Sequence, residues 1–204
     1  VYCQNGLLWQ VNLEENHAPA HRLDISPHSS SAHLLPKFAD QPDQLESATL
    51  SPDGEHIALC NRGRLFYMPT WQGGSYHLSD QADKRYKHVC FLADKKLLAV
   101  CDEGANDALH LFDLTHPGIA KSWLDLDLGR VLKLHASPDG KQVLISNHRH
   151  ECHLFNVASG KLLLLARSAY GLINLFDWSH DSAWIAYSFA NSHESSVLRL
   201  YHLK

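Results

Sequence analysis

Short apolar runs alternate along the whole chain with clusters of turn-forming residues, and the two keep a regular spacing. Ile57-Ala58-Leu59-Cys60, Leu97-Leu98-Ala99-Val100, Val143-Leu144-Ile145-Ser146 and Trp184-Ile185-Ala186-Tyr187 are near-continuous apolar stretches. Such stretches suit strands that are covered on both faces. Each follows a recurring phrase: Leu50-Ser51-Pro52-Asp53-Gly54, Phe91-Leu92-Ala93-Asp94-Lys95, Ala136-Ser137-Pro138-Asp139-Gly140 and Trp178-Ser179-His180-Asp181-Ser182. In its full form the phrase predicts a tight turn, because Pro fixes φ, Asp can bond its own backbone and Gly accepts positive φ. The aspartates stand at 53, 94, 139 and 181, separations of 41, 45 and 42 residues. That is the period of one four-stranded propeller blade.

Third strands are predicted at Leu65–Met68, Leu109–Leu114 and Cys152–Val157, more exposed and alternating than the second strands. Fourth strands are predicted at Ser75–Ser79, Lys121–Leu126 and Lys161–Leu165, with Gly73-Gly74 and Ser159-Gly160 as hairpin turns. No segment sustains a period of 3.6, so helix is expected to be scarce. The fold class is all-β. The pattern predicts a β-propeller fragment over 1–204, with three full four-stranded blades at about 44–80, 85–127 and 130–167. Two incomplete blades flank them, at 1–26 and 171–204, for 18 strands in all. Both ends carry second and third strands and so do not complement each other, which implies an excised piece of a larger propeller. The Ser-, Pro- and His-rich stretch Pro27–Pro42 reads as a solvated connection.

Charge and composition narrow the function rather than the fold. The net charge of -4 is spread evenly, without the clustered basic stripe that nucleic acid requires, so no nucleic-acid partner is expected. Nothing approaches the roughly 18 apolar residues of a membrane-spanning helix, so no membrane partner is expected either. Five cysteines, without a CxxC pair and mostly in apolar runs, read as reduced core residues and a cytoplasmic address.

Longer phrases carry a resemblance. Leu45-Glu46-Ser47-Ala48-Thr49-Leu50-Ser51-Pro52-Asp53-Gly54 with Ile57–Phe66, and the later run through Asn147-His148-Arg149, Tyr170-Gly171 and Phe176–Ser188, resemble the seven-bladed propeller of the tricorn proteases. The resemblance implies a cytosolic serine peptidase that degrades oligopeptides and is a homo-oligomer as the full-length protein. Its propellers gate or filter peptides entering an internal chamber, and its catalytic Ser and His lie in the remaining domains of the parent chain. Two other readings stay open: a stand-alone interaction propeller of the Tol translocation type, and a propeller attached to a prolyl-oligopeptidase-type hydrolase.

Within this chain no Gly-x-Ser-x-Gly elbow appears, and no catalytic residue, cofactor or metal ligand is assigned. In His148-Arg149-His150-Glu151-Cys152-His153, alternate residues could share a strand face as metal ligands. The preferred reading is an ordinary turn, with Arg149 and Glu151 as a solvated hairpin tip. Arg62 and Arg64 flank Gly63 between a second and a third strand; one reading is a tight hairpin with two solvated arginines, and the other makes them the candidate substrate contacts, facing peptide carboxylates at one mouth of the propeller. Thr49, Lys87 and Lys133, on first strands, are candidate pore-lining residues. Trp123, Trp178, Trp184, Phe112 and Phe155 read as packing between blades.

Overall fold

The computed structural model describes residues 1–4, 6–12, 19–25, 44–78, 84–93, 95–103, 106–116 and 118–203; the stretch 27–42 lies outside them, as does Asp94. Two compact units are present, Val1–Asp40 and Gln41–Lys204. The first holds β1 (Tyr2–Gln4), β2 (Leu7–Gln10) and β3 (His21–Leu23) in one antiparallel sheet, ordered β1-β2-β3.

The second unit is four antiparallel sheets in chain order. β4 (Leu45–Leu50), β5 (His56–Asn61), β6 (Arg64–Pro69) and β7 (Tyr76–His77) form the first. β8 (Arg85–Leu92), β9 (Lys96–Glu103), β10 (Asn106–Asp113) and β11 (Ile119–Trp123) form the second. β12 (Val131–Ala136), β13 (Gln142–Asn147), β14 (Glu151–Asn156) and β15 (Leu162–Arg167) form the third, and β16 (Phe176–Trp178), β17 (Trp184–Ala190) and β18 (Ser196–His202) the last. The second unit thus holds three four-stranded blades followed in the chain by one three-stranded one, and the first unit holds a single three-stranded sheet; the only helical residue described is the single 3₁₀ position at Gln44.

The three copies of the phrase that carry Ser make the same turn. Ser51, Ser137 and Ser179 each hydrogen-bond the Asp two residues on, Ser137 Oγ to Asp139 at 2.6 Å. Each hydroxyl also accepts the backbone N–H that opens the second strand: His56 at 2.9 Å, Gln142 at 3.0 Å and Trp184 at 2.8 Å. The fifth position is left-handed in every copy, at Gly54 (φ 73), Lys95 (φ 56), Gly140 (φ 67) and Ser182 (φ 59). The Ser179–Ser182 copy therefore keeps the turn while giving up the residue best suited to it, and Lys95 takes the same left-handed backbone.

Alternation along each second strand builds the core. Leu97, Ala99 and Cys101 pack with Ala58, Cys60, Leu65 and Phe112 between the first two of these blades. Leu98 and Val100, on the other face of β9, pack with Val131, Val143, Ile145 and Phe155 of the next. Leu144 of β13 then joins Cys152, Ile173, Phe176, Trp178, Ile185 and Tyr187. A buried Leu or Ile contributes about 2 kcal/mol, so each pair of blades is held by its shared apolar layer.

Three expectations need correcting. The third strands β10 and β14 are not the exposed ones: Asp107–Phe112 and Glu151–Phe155 are buried, because a blade covers each face. Trp184 is 45 % exposed on β17, its ring 4.5 Å from that of His202, and does not pack between blades. Cys3 is exposed, whereas Cys60, Cys90, Cys101 and Cys152 are buried free thiols, as their apolar runs imply.

Candidate functional site

The register places the starts of β4, β8 and β12 beside the turns between second and third strands, with Leu45 opposite Asn61, Arg85 opposite Asp102 and Val131 opposite Asn147. At this end of the second unit lies a cleft of about 350 Å³ lined by Gln44, Glu46, Arg62, Gly63, Arg64, Lys84 and Arg85. Both sequence-predicted contacts, Arg62 and Arg64, are there.

Arg62 (φ 51) and Gly63 (φ 75) form the two-residue left-handed turn that joins β5 to β6. Left-handed backbone costs a non-glycine residue about 1 kcal/mol, a cost the neighbouring contacts offset. Arg62 N–H donates to the Gln44 carbonyl at 3.2 Å, and the Gly63 carbonyl accepts Tyr86 N–H at 2.9 Å. The stem of Arg85 lies over Gly63 so closely that a Cβ there would sit 2.6 Å from Arg85 Cγ. Glycine is needed at 63 for both reasons.

Among the described residues, the lining of the cleft thus carries four cationic side chains and one carboxylate. Arg85 Nη2 donates to Glu46 Oε1 at 2.6 Å, and Lys84 Nζ lies 3.2 Å from Glu103 Oε1. Guanidinium groups bind carboxylates through paired N–H donors, so the cleft is suited to a small carboxylate-bearing group. Sequence reasoning missed Lys84, Arg85 and Glu46. The signal was Lys84-Arg85-x-Lys87 at the opening of a first strand, which the repeat puts at the same end as Arg62.

The first strands themselves line a groove of about 570 Å³, to which Thr49, His88, Lys133, His135 and Asp177 contribute. Of the candidate pore residues, Thr49 and Lys133 line it. Lys87 instead reaches Asp102 at 3.2 Å and Asp107 at 3.3 Å. Lys133 Nζ also donates to the Asn174 carbonyl at 3.3 Å, and His135 Nε2 lies 3.0 Å from Asp177 Oδ1.

In the 148–153 run His148–His150 form the turn and Glu151–His153 open β14, so Glu151 is not part of a solvated tip. Glu151 is 6 % exposed, and its Oε2 accepts Asn147 Nδ2 at 2.7 Å while Arg149 pairs with it at 2.9 Å. Burial pushes its carboxyl up, yet Asn147, Arg149, His153 and Arg167 together hold it below the usual range. His148 Nδ1 accepts Arg130 N–H at 2.9 Å, and Cys152 faces the apolar layer of the last blade. His148, His150 and Cys152 do not gather into a ligand set.

Comparison with known proteins follows the same blades. The family model described as "Tricorn protease second beta propeller domain" matches residues 45–204. The chain is 32% identical over 181 residues to the "Putative Tricorn-like protease C-terminal subunit" of Sulfurisphaera tokodaii, covering 89% of this chain and 20% of that protein. It is 30% identical over 182 residues to the "Tricorn protease homolog" of Saccharolobus solfataricus, covering 89% of this chain and 16% of that one. Among solved structures, "Crystal structure of the tricorn protease" superposes with a TM-score of 0.69 at 21% identity, over 98% of this chain and 19% of that chain. At that identity the superposition shows the fold. The chain spans about a fifth of the length of the relatives it matches.

Proposed function

Because this chain belongs to the tricorn protease family, in the region of its second β-propeller domain, we propose that it is the non-catalytic part of a serine peptidase that filters peptides on their way to an internal catalytic chamber. The observation that carries this reading is the cleft lined by Arg62, Arg64, Lys84 and Arg85 together with Glu46. Every peptide with a free C-terminus presents a carboxylate, and a cluster of fixed cations at a mouth raises its local concentration and orients its approach. The groove along the first strands supports the same reading, since it continues between Thr49 and Asp177 with polar and apolar groups interleaved.

On this reading the catalytic Ser and His belong to the remaining domains of the parent protein, which works as a cytoplasmic homo-oligomer on oligopeptides. The chain itself contributes binding and passage.

The test is peptide turnover by the full-length protein carrying Arg62→Ala, alone and with Arg64→Ala. Peptides with a free C-terminal carboxylate are expected to lose several-fold in kcat/KM, mostly through KM, while C-terminally amidated peptides change little. Equal turnover of both substrate types by wild type and variants would sink the reading.

A further inference from the structure

A second group of polar side chains sits inside the layer between the first two blades of the Gln41–Lys204 unit, and the peptide reading makes no use of it. Cys101 and Glu103 lie two apart on β9, so they share a face. His110 stands opposite Ala99, and Ala108 opposite Cys101, which brings His110 to that same face. The ligand atoms of Cys101, Glu103 and His110 all lie within 4.8 Å of one another. Cys101 and His110 are fully buried, and Ala99 and Ala108 beside them occupy little of the space on this face.

We propose that Cys101, Glu103 and His110 form a binding site for a thiophilic divalent cation, zinc being the best match. Sulfur, imidazole nitrogen and a carboxylate oxygen are the three donor types zinc takes, and cations that prefer all-oxygen shells do not suit this set. His110 is already oriented as a ligand, because its Nδ1 is 2.9 Å from Tyr86 Oη, leaving Nε2 directed at Glu103 Oε2, 3.1 Å away. Two such ligands on a tetrahedral zinc stand roughly 3.3 Å apart, so the pair needs to open by only a few tenths of an ångström. A partner on the far nitrogen is what orients metal-binding histidines generally. Lys84 engages the other carboxylate oxygen, Oε1, at 3.2 Å and leaves Oε2 for the ion.

The protonation states are compatible. Burial, and then the Lys84 charge, lower the His110 pKa and keep the imidazole neutral, as a ligand must be. Burial pushes the Cys101 thiol up to about 12, so binding releases one proton, from Cys101 to solvent, as the sulfur–metal bond forms. The Glu103 side chain is 33% exposed, which gives the ion a way in and water a place in the fourth coordination position. An ion held there would tie β9 to β10 near their shared turn.

Cobalt(II) titration of the full-length protein tests this. One ion per chain is expected, with a thiolate-to-cobalt charge-transfer band that zinc competes away and that is absent in Cys101→Ser. Glu103→Gln, at a partly exposed position, is expected to bind at least about tenfold more weakly. No charge-transfer band in the folded wild type, or a band that survives in Cys101→Ser, overturns the proposal. Should circular dichroism show Cys101→Ser unfolded, unchanged affinity in Glu103→Gln overturns it.

Discussion

The Asp107 carboxylate, wholly buried on the third strand of one blade, accepts the backbone N–H of Val131, on the first strand of the next, at 2.7 Å. Its other oxygen takes Arg130 Nη1 at 2.9 Å and Lys87 Nζ at 3.3 Å. Asp107→Ala removes the acceptor and leaves a buried N–H and two cations without it. Removing one member of a buried ionic group costs about 3 kcal/mol. The urea midpoint is expected to fall accordingly, while Asp125→Ala, outside this network, changes it little.

The turns of the repeat differ in how much they tolerate. A Cβ at Gly140 would meet the backbone N of Ala93 at 2.2 Å, whereas at Gly54 it would meet nothing within 4 Å, and both residues have positive φ. Gly54→Ala is expected to cost about 1 kcal/mol from backbone conformation alone. Gly140→Ala is expected to cost at least about 2 kcal/mol, because backbone and not a flexible side chain must move. Denaturant unfolding of the two variants side by side checks the difference.

Acid should act through the same turns. The Ser179 hydroxyl, and next the Ala183 backbone N–H, hold the Asp181 carboxyl below its ordinary range. A depressed native pKa contributes stability above the unfolded value, about 3.9, and loses it as pH falls through the native value. Ser179→Ala is expected to raise the Asp181 pKa toward the ordinary value and to move acid unfolding to higher pH. Carboxyl titration by NMR, followed through the pH range below about 4, reads both effects.

Thiol reactivity divides the cysteines by burial. Desolvation pushes Cys60 up to about 11 and Cys90 and Cys152 up to about 12. Brief iodoacetamide treatment of the native protein at neutral pH is expected to label Cys3 and spare Cys60, Cys90 and Cys152 until denaturant is added. Peptide mapping by mass spectrometry gives the answer position by position.

The blades were legible because the turn chemistry repeats even where its letters do not. Asp94 and Asp181 mark turns that have lost glycine, and Lys95 and Ser182 adopt the left-handed position that Gly54 and Gly140 take. The edges of elements were less legible: the fourth strand foreseen at Lys121–Leu126 runs over Ile119–Trp123. Burial of polar third-strand residues was not legible at all. Asp107, His110 and Glu151 look like surface positions in sequence, and their partners come from other strands or from the next blade. The cleft was half visible: Arg62 and Arg64 stood out beside Gly63, but Arg85 reaches them only through the packing of β8 on the first blade. Cys101, Glu103 and His110 converge across two strands, a proximity that depends on register and leaves no mark in spacing.

The two ends of the Gln41–Lys204 blades are fastened differently. At the end where the first strands begin, Glu46 with Arg85, and Asp102 and Asp107 with Arg130, tie neighbouring blades by charge. At the opposite end Asp139 N–H meets the Ser182 hydroxyl, and Gly140 packs on Ala93; the His135–Asp177 pair nearby is largely solvated and adds little. Ionic strength therefore acts on this unit as a one-sided lever. With a screening length of about 10 Å at 0.1 M salt and about 3 Å at 1 M, the part-exposed Glu46–Arg85 pair at one rim weakens, while the buried Asp107 group beside it and the uncharged contacts at the other rim are screened little. Salt would thus loosen the first two blades of the unit at the rim that carries the cationic cleft and leave the buried Asp107 tie to the next blade in place.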